Sequence, residues 1–285
     1  MRQIAIISKP QKEELKTVLP ELVAWLRGHG FEPVLDRASG DYTHDARIIA
    51  REEMAAESPE LAIVLGGDGT LLAAARVFAK ARIPIMSVNL GSLGFLTEVR
   101  LADLYSTLEG WRQQCCTIEA RSMLHAELFR DGVLHCQYEA LNDVVIAKGA
   151  IARMGDFTVL LDTQLAATFR ADGVIVATPT GSTAYSLAAA GPILAPSVDA
   201  LVITPICPHL LTLRPMVVRG DSKLTVRVEG IPDQTFLTVD GQEAIQVHVG
   251  DELHCRRSDF SVKLVRMGEP AFFDVLRAKL KWGER

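Results

Sequence analysis

Apolar and polar residues in the first third of the chain alternate between strand-like and helix-like spacing. The segments predicted as strand, helix, strand and so on are, in order, Gln3–Ser8, Lys12–Arg27, Glu32–Leu35, Ala46–Ala55, Leu61–Leu65, Leu71–Ala79 and Ile83–Val88. This alternation is typical of a parallel sheet covered by helices. The run Leu61–Leu65 is almost entirely apolar, which predicts a strand buried on both faces.

After a predicted helix at Leu101–Trp111 the pattern becomes rich in short β-type runs. These runs are Ala120–Arg130, Val133–Gln137, Val144–Ala147, Phe157–Leu161, Lys223–Val228, Thr235–Val239, Ile245–Val249, Glu252–Arg256 and Ser261–Arg266. Asp131-Gly132 between the first two is a strong hairpin signal. Many short strands between turn residues favour a sandwich-like antiparallel domain.

The change of pattern predicts an α/β plus all-β protein with two domains. Residues 1–118 form an N-terminal Rossmann-like parallel α/β domain, and residues 119–266 form a C-terminal β-sandwich-like domain. Helical spacing returns at Phe272–Trp282, so we expect residues 267–285 to rejoin the first domain. The length of 285 residues suits two domains, since a single domain usually has roughly 100–200 residues.

Charge and cysteine usage narrow the function classes. A formal net charge of −5 argues against a general nucleic-acid binder or a protein of anionic membranes, both of which carry a basic surplus. No segment reaches the roughly 18 apolar residues that span a bilayer, and the apolar start is too short for a signal peptide. The five cysteines form no CxxC pair, which favours reduced thiols and a cytoplasmic location.

The motif GGDGT at residues 66–70 follows the third predicted strand directly. It therefore lies at the carboxyl end of that strand, where ligands bind in open α/β sheets. Gly67 and Gly69 have no Cβ, so their amides can approach a phosphate, and Asp68 adds a carboxylate between them. Thr70 is expected to cap the following helix. The alternative is a tight turn in which Asp68 hydrogen-bonds its own backbone.

A second stretch, RADGVIVATPTGSTAYS at residues 170–186, combines a strand at Val174–Ala177 with a hydroxyl-rich turn. A helix is expected to start at Ser182 or Thr183. The turn offers hydroxyls, amides and an aromatic face, which suit the sugar, base and phosphate of a nucleotide. The alternative is a capped helix after a strand, with Tyr185 packed in the core.

Three motifs together resemble those of bacterial NAD kinases in order and spacing. They are DGVIVATPTGSTAYS at 172–186, ALNDVV at 140–145 and NLGSLGFL at 89–96. GGDGT by itself also recurs in diacylglycerol and sphingosine kinases and in 6-phosphofructokinases. The resemblance implies transfer of the γ-phosphoryl group of ATP to the 2′-hydroxyl of the adenosine ribose of NAD, which gives NADP.

The resemblance also implies roles for individual residues. Asp68 matches the catalytic aspartate, which contacts the acceptor ribose and accepts its proton. Residues that match nucleotide-binding positions are Phe95, Asn142, Asp143, Asp172, Thr183, Ala184 and Tyr185. Further candidates for nucleotide binding are Gly67 and Gly69, through their amides, Thr180 of the hydroxyl-rich turn, and Arg170, whose guanidinium suits a pyrophosphate. Many relatives have glutamate where this chain has Asp143. The alternatives are a core position for Phe95 and a solvated charge beside Asp172 for Arg170.

Phosphoryl transfer needs alignment and charge neutralisation, with a metal bridging donor oxygens. The sequence has no dense carboxylate cluster, so we expect Mg²⁺ to arrive with ATP, and its protein ligands are unknown. The resemblance implies a homodimer or homotetramer. Two other functions stay open at this point: a catalytically silent NAD-binding regulator, and a lipid kinase that shares GGDGT.

Overall fold

The structure is a computed structural model that describes residues 2–91, 94–97, 99–149, 153–231, 234–268 and 272–282. It divides into two compact units. The first unit contains Met1–Ala120 and Ser261–Arg285, and the second contains Arg121–Phe260. The predicted boundaries fall at residues 118 and 266. Each unit therefore has its own fold and is described separately.

The first unit begins with alternating strands and helices. They are β1 (Arg2–Ser8), α1 (Leu15–Gly28), β2 (Phe31–Asp36), α2 (Arg37–Gly40), β3 (Arg47–Ile49), β4 (Leu61–Gly66), α3 (Asp68–Phe78), β5 (Ile85–Asn89), β6 (Val99–Arg100) and α4 (Leu104–Arg112). The strand order is β3-β2-β1-β4-β5, with β6 beside β5. All of these neighbours are parallel, which confirms the predicted α/β sheet.

The order of the strands fixes where this unit presents its loops. The chain moves from β1 to β2 on one side and later to β4 on the other side. Carboxyl ends of strands at such a reversal of order leave a crevice where ligands bind. Every residue of β4 is buried, so β4 is a central strand, and it delivers the GGDGT motif to that edge. The predicted position of the motif is confirmed.

One face of α1 packs against one face of the sheet in the core of the first unit. Buried residues of α1 recur at helical spacing and are Leu15, Leu19, Leu22, Val23 and Leu26. They pack in a cluster with apolar residues of the strands, among them Ile4, Ile6, Leu35, Ile63, Leu65 and Val88. No helix within the described ranges has the length and apolar character needed to cross a membrane.

Two predictions for the first unit are wrong in detail. The segment predicted as a helix at Ala46–Ala55 is the short strand β3 followed by a 3₁₀ helix at Arg51–Glu57. β3 pairs in parallel with β2, and the extended backbone of Ala50 separates the two elements. Helix α3 begins at Asp68 with Gly67 as its N-cap. Thr70 therefore lies inside the first turn and does not cap the helix.

The second unit consists mostly of antiparallel strands. Its elements are β7 (Thr117–Arg130), β8 (Val133–Ala140), β9 (Asp143–Lys148), β10 (Gly155–Leu161), β11 (Gln164–Ala171), β12 (Gly173–Ala177), α5 (Tyr185–Ala188), β13 (Ala200–Ile206), β14 (Met216–Arg219), β15 (Leu224–Gly230), β16 (Thr235–Val239), β17 (Glu243–Gln246) and β18 (Glu252–Arg266). One sheet has the order β14-β13-β12-β9-β16-β17, and β11, β10, β15 and the start of β18 pair in the other.

A single apolar cluster joins the two sheets of the second unit. It includes Val144, Ile146, Val174, Val176 and Leu237 of the first sheet and Phe157, Val159, Phe169, Val226 and Leu253 of the second. Alternate residues of these strands point inward, as expected for a sandwich. The predicted sandwich-like architecture is confirmed.

The details of this unit differ from the predicted strands in two ways. Glu252–Arg256 and Ser261–Arg266 form one continuous strand, β18, whose residues from Ser261 onward belong to the first unit. Strands β11, β13 and β14 were not predicted. The Asp131-Gly132 hairpin is confirmed, because both residues have the positive φ that such a turn requires, 51° and 73°. The last helix, α6, spans Phe272–Leu280.

Candidate active site

The carboxylate of Asp68 holds a loop that lies 27 to 29 residues further along the chain. Its Oδ2 accepts a hydrogen bond from the backbone N–H of Phe95 at 3.0 Å. Its Oδ1 accepts from the N–H groups of Leu96 and Thr97, both at 3.2 Å, and from Thr97 Oγ1 at 3.1 Å. Asp68 thus bonds a distant loop, and the alternative of a self-bonded turn is wrong.

Helix α3 adds a second favourable interaction for this carboxylate. Asp68 is the first residue of α3, where the free N–H groups and the helix dipole favour negative charge. The side chain is only half-buried. The first unit therefore holds one carboxylate in a fixed position with part of its surface open.

The glycines around Asp68 fall into two groups by the space beside them. A Cβ on Gly94 would lie 2.0 Å from Asp68 Oδ1 and 2.5 Å from Thr97 Oγ1. A Cβ on Gly66 would lie 2.5 Å from Thr70 Oγ1. By contrast, a Cβ on Gly67 or Gly69 would meet nothing within 4 Å. Gly67 and Gly69 therefore border open space, as a phosphate-binding turn needs. Ser92 and Leu93 of the NLGSLGFL motif lie outside the described residues.

In the second unit, Asn142 and Asp143 stand where strand β9 begins. Asn142 is half-buried and Asp143 is buried. The backbone N–H groups of Leu141, Asn142 and Asp143 all donate to the carboxylate of Asp240, at 3.0, 2.8 and 3.2 Å. Asp240 was not among the predicted site residues. The Asp-Gly signal at 240–241 indicates a hairpin but says nothing about what the aspartate binds.

The charge on Asp143 is unfavourable in this environment. Burial and the nearby carboxylate of Asp240 raise the pKa of Asp143 to about 7, and a backbone hydrogen bond from Tyr185 partly opposes this rise. Asp143 therefore exists in both protonation states around neutral pH. A protonated carboxyl can donate a hydrogen bond as well as accept one.

The turn after strand β12 takes the form of a 3₁₀ helix at Thr180–Thr183, and α5 begins only at Tyr185. The predicted helix start at Ser182 or Thr183 is wrong because Ala184, with φ −97° and ψ −127°, interrupts the helical backbone. Tyr185 is 46% exposed, so it is accessible from solvent and is not a core residue.

The threonines of this turn have protein partners. Thr180 is buried, and Arg121 Nη1 lies 3.5 Å from its hydroxyl. The hydroxyl of Thr183 donates to the carbonyl of Thr180 at 3.1 Å. Thr183 and Ala184 are half-buried. The turn is thus internally bonded, and its accessible side carries Thr183, Ala184 and Tyr185.

Arg170 and Asp172 belong to two separate ion pairs. Arg170 donates to both oxygens of Asp156, at 2.8 and 3.2 Å, while Lys148 Nζ lies 2.9 Å from Asp172 Oδ1. Arg170 is an exposed charge, as the alternative states, but its ion pair is with Asp156 and not with Asp172. Arg170 also lines a cavity of about 590 Å³, together with Arg153, Met154, Asp156, His209 and Ile231. Arg153 and His209 were not among the predicted site residues, since neither belongs to a motif.

An aspartate within a glycine turn at the end of a parallel strand, and a hydroxyl-rich turn in a β-sandwich, define a class of two-unit nucleotide-binding proteins. Comparison with known families identifies the member of this class. The ATP-NAD kinase N-terminal domain matches residues 4–114, and the ATP-NAD kinase C-terminal domain matches residues 141–267. The chain belongs to the NAD kinase family.

Individual relatives agree with this assignment. The NAD kinases of Acidobacterium capsulatum and Koribacter versatilis are 70% and 52% identical to this chain, each over the full length of both proteins. Among solved structures, yeast NADH kinase in complex with NADH has a TM-score of 0.90 at 23% identity and covers 100% of this chain and 89% of its own. The NAD kinase from Archaeoglobus fulgidus in complex with ATP has a TM-score of 0.76 at 23% identity, with 98% of both chains covered.

The space beside Gly94 generates the first prediction. Gly94→Ala forces the Asp68 carboxylate to move, because the new Cβ would overlap Oδ1. A displacement of about 1 Å in a reacting group can lower the rate about 100-fold, so we expect a loss of kcat of that order. Gly28→Ala is the matched control, since a Cβ there meets nothing within 4 Å. Steady-state kinetics of both variants test this, and an active Gly94→Ala enzyme would contradict it.

The raised pKa of Asp143 generates the second prediction. A folded-state pKa of about 7 against an ordinary value of 3.8 gives stability that is present below pH 4 and lost as pH rises through about 7. The Asp143→Asn variant has no ionisable group at this position, so its stability does not fall with pH for this reason. In thermal unfolding without ligand, the variant should therefore gain stability relative to the wild type between pH 4 and 7, by on the order of 4 kcal/mol. A constant difference in melting temperature over this range would contradict the prediction.

Proposed function

We propose that the chain is a phosphotransferase with an alcohol group as acceptor, which moves the γ-phosphoryl group of ATP to the 2′-hydroxyl of the adenosine ribose of NAD. The observation that carries the proposal is the fixed, half-buried carboxylate of Asp68 between Gly67 and Gly69, where an added Cβ would meet nothing within 4 Å. Membership of the NAD kinase family supports the choice of NAD and ATP as substrates.

Asp68 acts in this proposal as the proton acceptor. Among the described residues, Oδ1 accepts three hydrogen bonds and Oδ2 accepts one, from Phe95. A carboxylate oxygen has two lone pairs, so Oδ2 keeps one for the ribose hydroxyl. As the 2′-oxygen forms its bond to the γ-phosphorus, its proton passes to Oδ2, and the bond from that phosphorus to the bridging oxygen breaks to release ADP.

The remaining residues bind and orient the two substrates. The amides of Gly67 and Gly69 are proposed to hold donor phosphate oxygens, and Phe95 to cover the adenine. Residues proposed to contact NAD are Asn142, Asp143, Asp172, Thr183, Ala184 and Tyr185. The exposure of the Tyr185 ring supports stacking on the nucleotide, which is typically worth about 1–3 kcal/mol.

Arg170 and Thr180 receive different roles. Arg170 lines a cavity with two other basic side chains, which supports a contact with phosphate oxygens through charge-assisted hydrogen bonds. Thr180 is buried, so we propose that it stabilises the turn and does not contact the nucleotide.

Magnesium enters the proposal only as the partner of ATP. Within the described residues, no group of three or more His, Cys, Asp or Glu side chains could hold a metal ion. The described side chains therefore do not fit a dedicated metal site, and we assign no step to the ion. We also propose a homodimer or homotetramer and a cytoplasmic location, the latter supported by five free thiols.

The substrate assignment is tested by turnover. Purified protein with Mg²⁺ and ATP should convert NAD to NADP, measured with an NADP-specific dehydrogenase. Diacylglycerol and fructose 6-phosphate should not be phosphorylated under the same conditions. Binding of NAD without turnover would favour a silent NAD-binding regulator, and consumption of diacylglycerol would favour a lipid kinase.

The proton-acceptor role is tested by Asp68→Asn. The amide keeps one acceptor oxygen and removes the charge, so kcat should fall about 10²- to 10⁴-fold, the usual contribution of a general base. The amide also presents N–H groups to the donors of the loop at residues 95–97, so Asp68→Asn weakens the hold on that loop as well. Thr97→Val is the matched control, because it weakens the same hold and leaves the charge of Asp68 in place. It removes only the Thr97 hydroxyl from Asp68 and should keep kcat within about tenfold of the wild type.

Two results would contradict this role. In the first, Asp68→Asn retains more than about a tenth of the wild-type kcat, a loss smaller than the roughly 10²- to 10⁴-fold contribution of a general base. Alternatively, Thr97→Val could lose as much activity as Asp68→Asn. In that case the anchored loop, and not the basicity of Asp68, would be what the reaction needs.

A further inference from the structure

The backbone that carries Asn142 and Asp143 is fixed on its N–H side by one side chain. Oδ1 of Asp240 accepts from the N–H groups of Asn142 and Asp143, at 2.8 and 3.2 Å, and Oδ2 accepts from the N–H of Leu141 at 3.0 Å. Three consecutive amides thus share one carboxylate. Since buried amides without acceptors are costly, this bonding defines the path of the segment.

The carbonyl groups of the same segment are also held by hydrogen bonds. Thr178 donates from its hydroxyl to the carbonyl of Leu141 at 2.6 Å and from its N–H to the carbonyl of Asn142 at 2.9 Å. A Cβ on Gly181 would lie 2.0 Å from the Asn142 oxygen, so the turn at 180–183 packs directly against this backbone. The segment therefore has little freedom except in its side chains.

Asp240 is itself held in place by the hairpin between β16 and β17. Asp240 and Gly241 have φ values of 50° and 64°, the geometry of tight hairpin turns. The N–H of Gln242 closes the turn on the carbonyl of Val239 at 2.9 Å, and the N–H of Asp240 donates to the carbonyl of Asp143 at 2.9 Å. The Asp240 side chain is buried, so its carboxylate cannot turn away to solvent.

We propose that Asp240 is a positioning residue for NAD, which acts by holding the backbone of Asn142 and Asp143 so that their side chains meet the nucleotide. Asp240 does not touch the substrate in this proposal. The inference rests on the proposed NAD contacts of Asn142 and Asp143. A carboxylate is required because an asparagine has only one acceptor oxygen, and its amide nitrogen would face an N–H of the segment.

The test is Asp240→Asn in the full chain, with NAD affinity measured by calorimetry and kinetics measured with NAD and ATP varied separately. We expect Kd and KM for NAD to rise about tenfold, which corresponds to about 1.4 kcal/mol. KM for ATP should stay within about twofold. An unchanged KM for NAD would overturn the proposal.

A matched control separates positioning from general loss of stability. Asp251 is also buried, accepts from the N–H of His248 at 2.9 Å and binds Arg130 through both oxygens, but it does not bond the segment at 141–143. Asp251→Asn should lower the melting temperature and leave KM for NAD unchanged. An equal rise of KM for NAD in both variants would assign the effect to lost stability and overturn the proposal.

A double-mutant cycle with Asn142→Ala tests the route of the effect. If Asp240 acts through the segment, Asn142→Ala should weaken NAD binding less in the Asp240→Asn background than in the wild type. If the fold-changes in NAD affinity caused by the two substitutions simply multiply, the two residues act independently and the proposal is overturned. If Asn142→Ala and Asp143→Asn each leave NAD affinity unchanged in the wild type, the proposed NAD contacts fail, whatever Asp240 does.

A second variant tests the proposal if Asp240→Asn does not fold. Asp240→Glu keeps the charge and both acceptor oxygens but moves them by one methylene group. It should fold and raise KM for NAD by severalfold, with KM for ATP unchanged. If neither variant folds, Asp240 is needed for the fold itself, and the proposal is overturned.

Discussion

Backbone N–H groups that leave a strand or enter a loop need acceptors, and in both units an aspartate side chain supplies them. Asp68 accepts three consecutive amides at residues 95–97, and Asp240 accepts three at residues 141–143. A carboxylate can do this because its two oxygens offer about four lone-pair sites in one plane. Each aspartate thereby fixes a segment at a strand boundary, since residues 95–97 lie between β5 and β6 and residues 141–143 lead into β9. The motifs singled out by the sequence depend on these bonds for their shape.

The two aspartates differ in what their charge does to their surroundings. Asp68 stands at the N-terminus of α3, where the helix dipole favours its charge. Asp240 is buried beside Asp143, and the burial of Asp143 together with the charge of Asp240 raises the pKa of Asp143 to about 7. The amides that stabilise Asp240 as an anion therefore favour a proton on Asp143. A protonated Asp143 can donate a hydrogen bond, whereas the ionised form only accepts.

The sequence predicted the elements that depend on local pattern and missed those that depend on distant partners. The apolar run of β4 placed GGDGT at the carboxyl end of a parallel strand, because a continuous apolar run by itself indicates a strand buried on both faces. The helix predicted at Ala46–Ala55 is wrong because pairing with β2 extends its first residues. The role of Asp240 was not visible, since its partners lie 97 to 99 residues away. The same holds for the bonds from Asp68 to the loop at residues 95–97.

The uneven bonding of the Asp68 oxygens explains how one residue can serve both structure and chemistry. Within the described residues, Oδ1 accepts three donors and is committed to the loop, while Oδ2 accepts one. A carboxylate bonded equally on both sides would have to release a loop amide before it could accept a substrate proton. With the donors gathered on Oδ1, proton transfer at Oδ2 leaves most of the anchor intact. In the proposed reaction, the loop at residues 95–97 thus stays bonded to Asp68 while the charge of Asp68 changes.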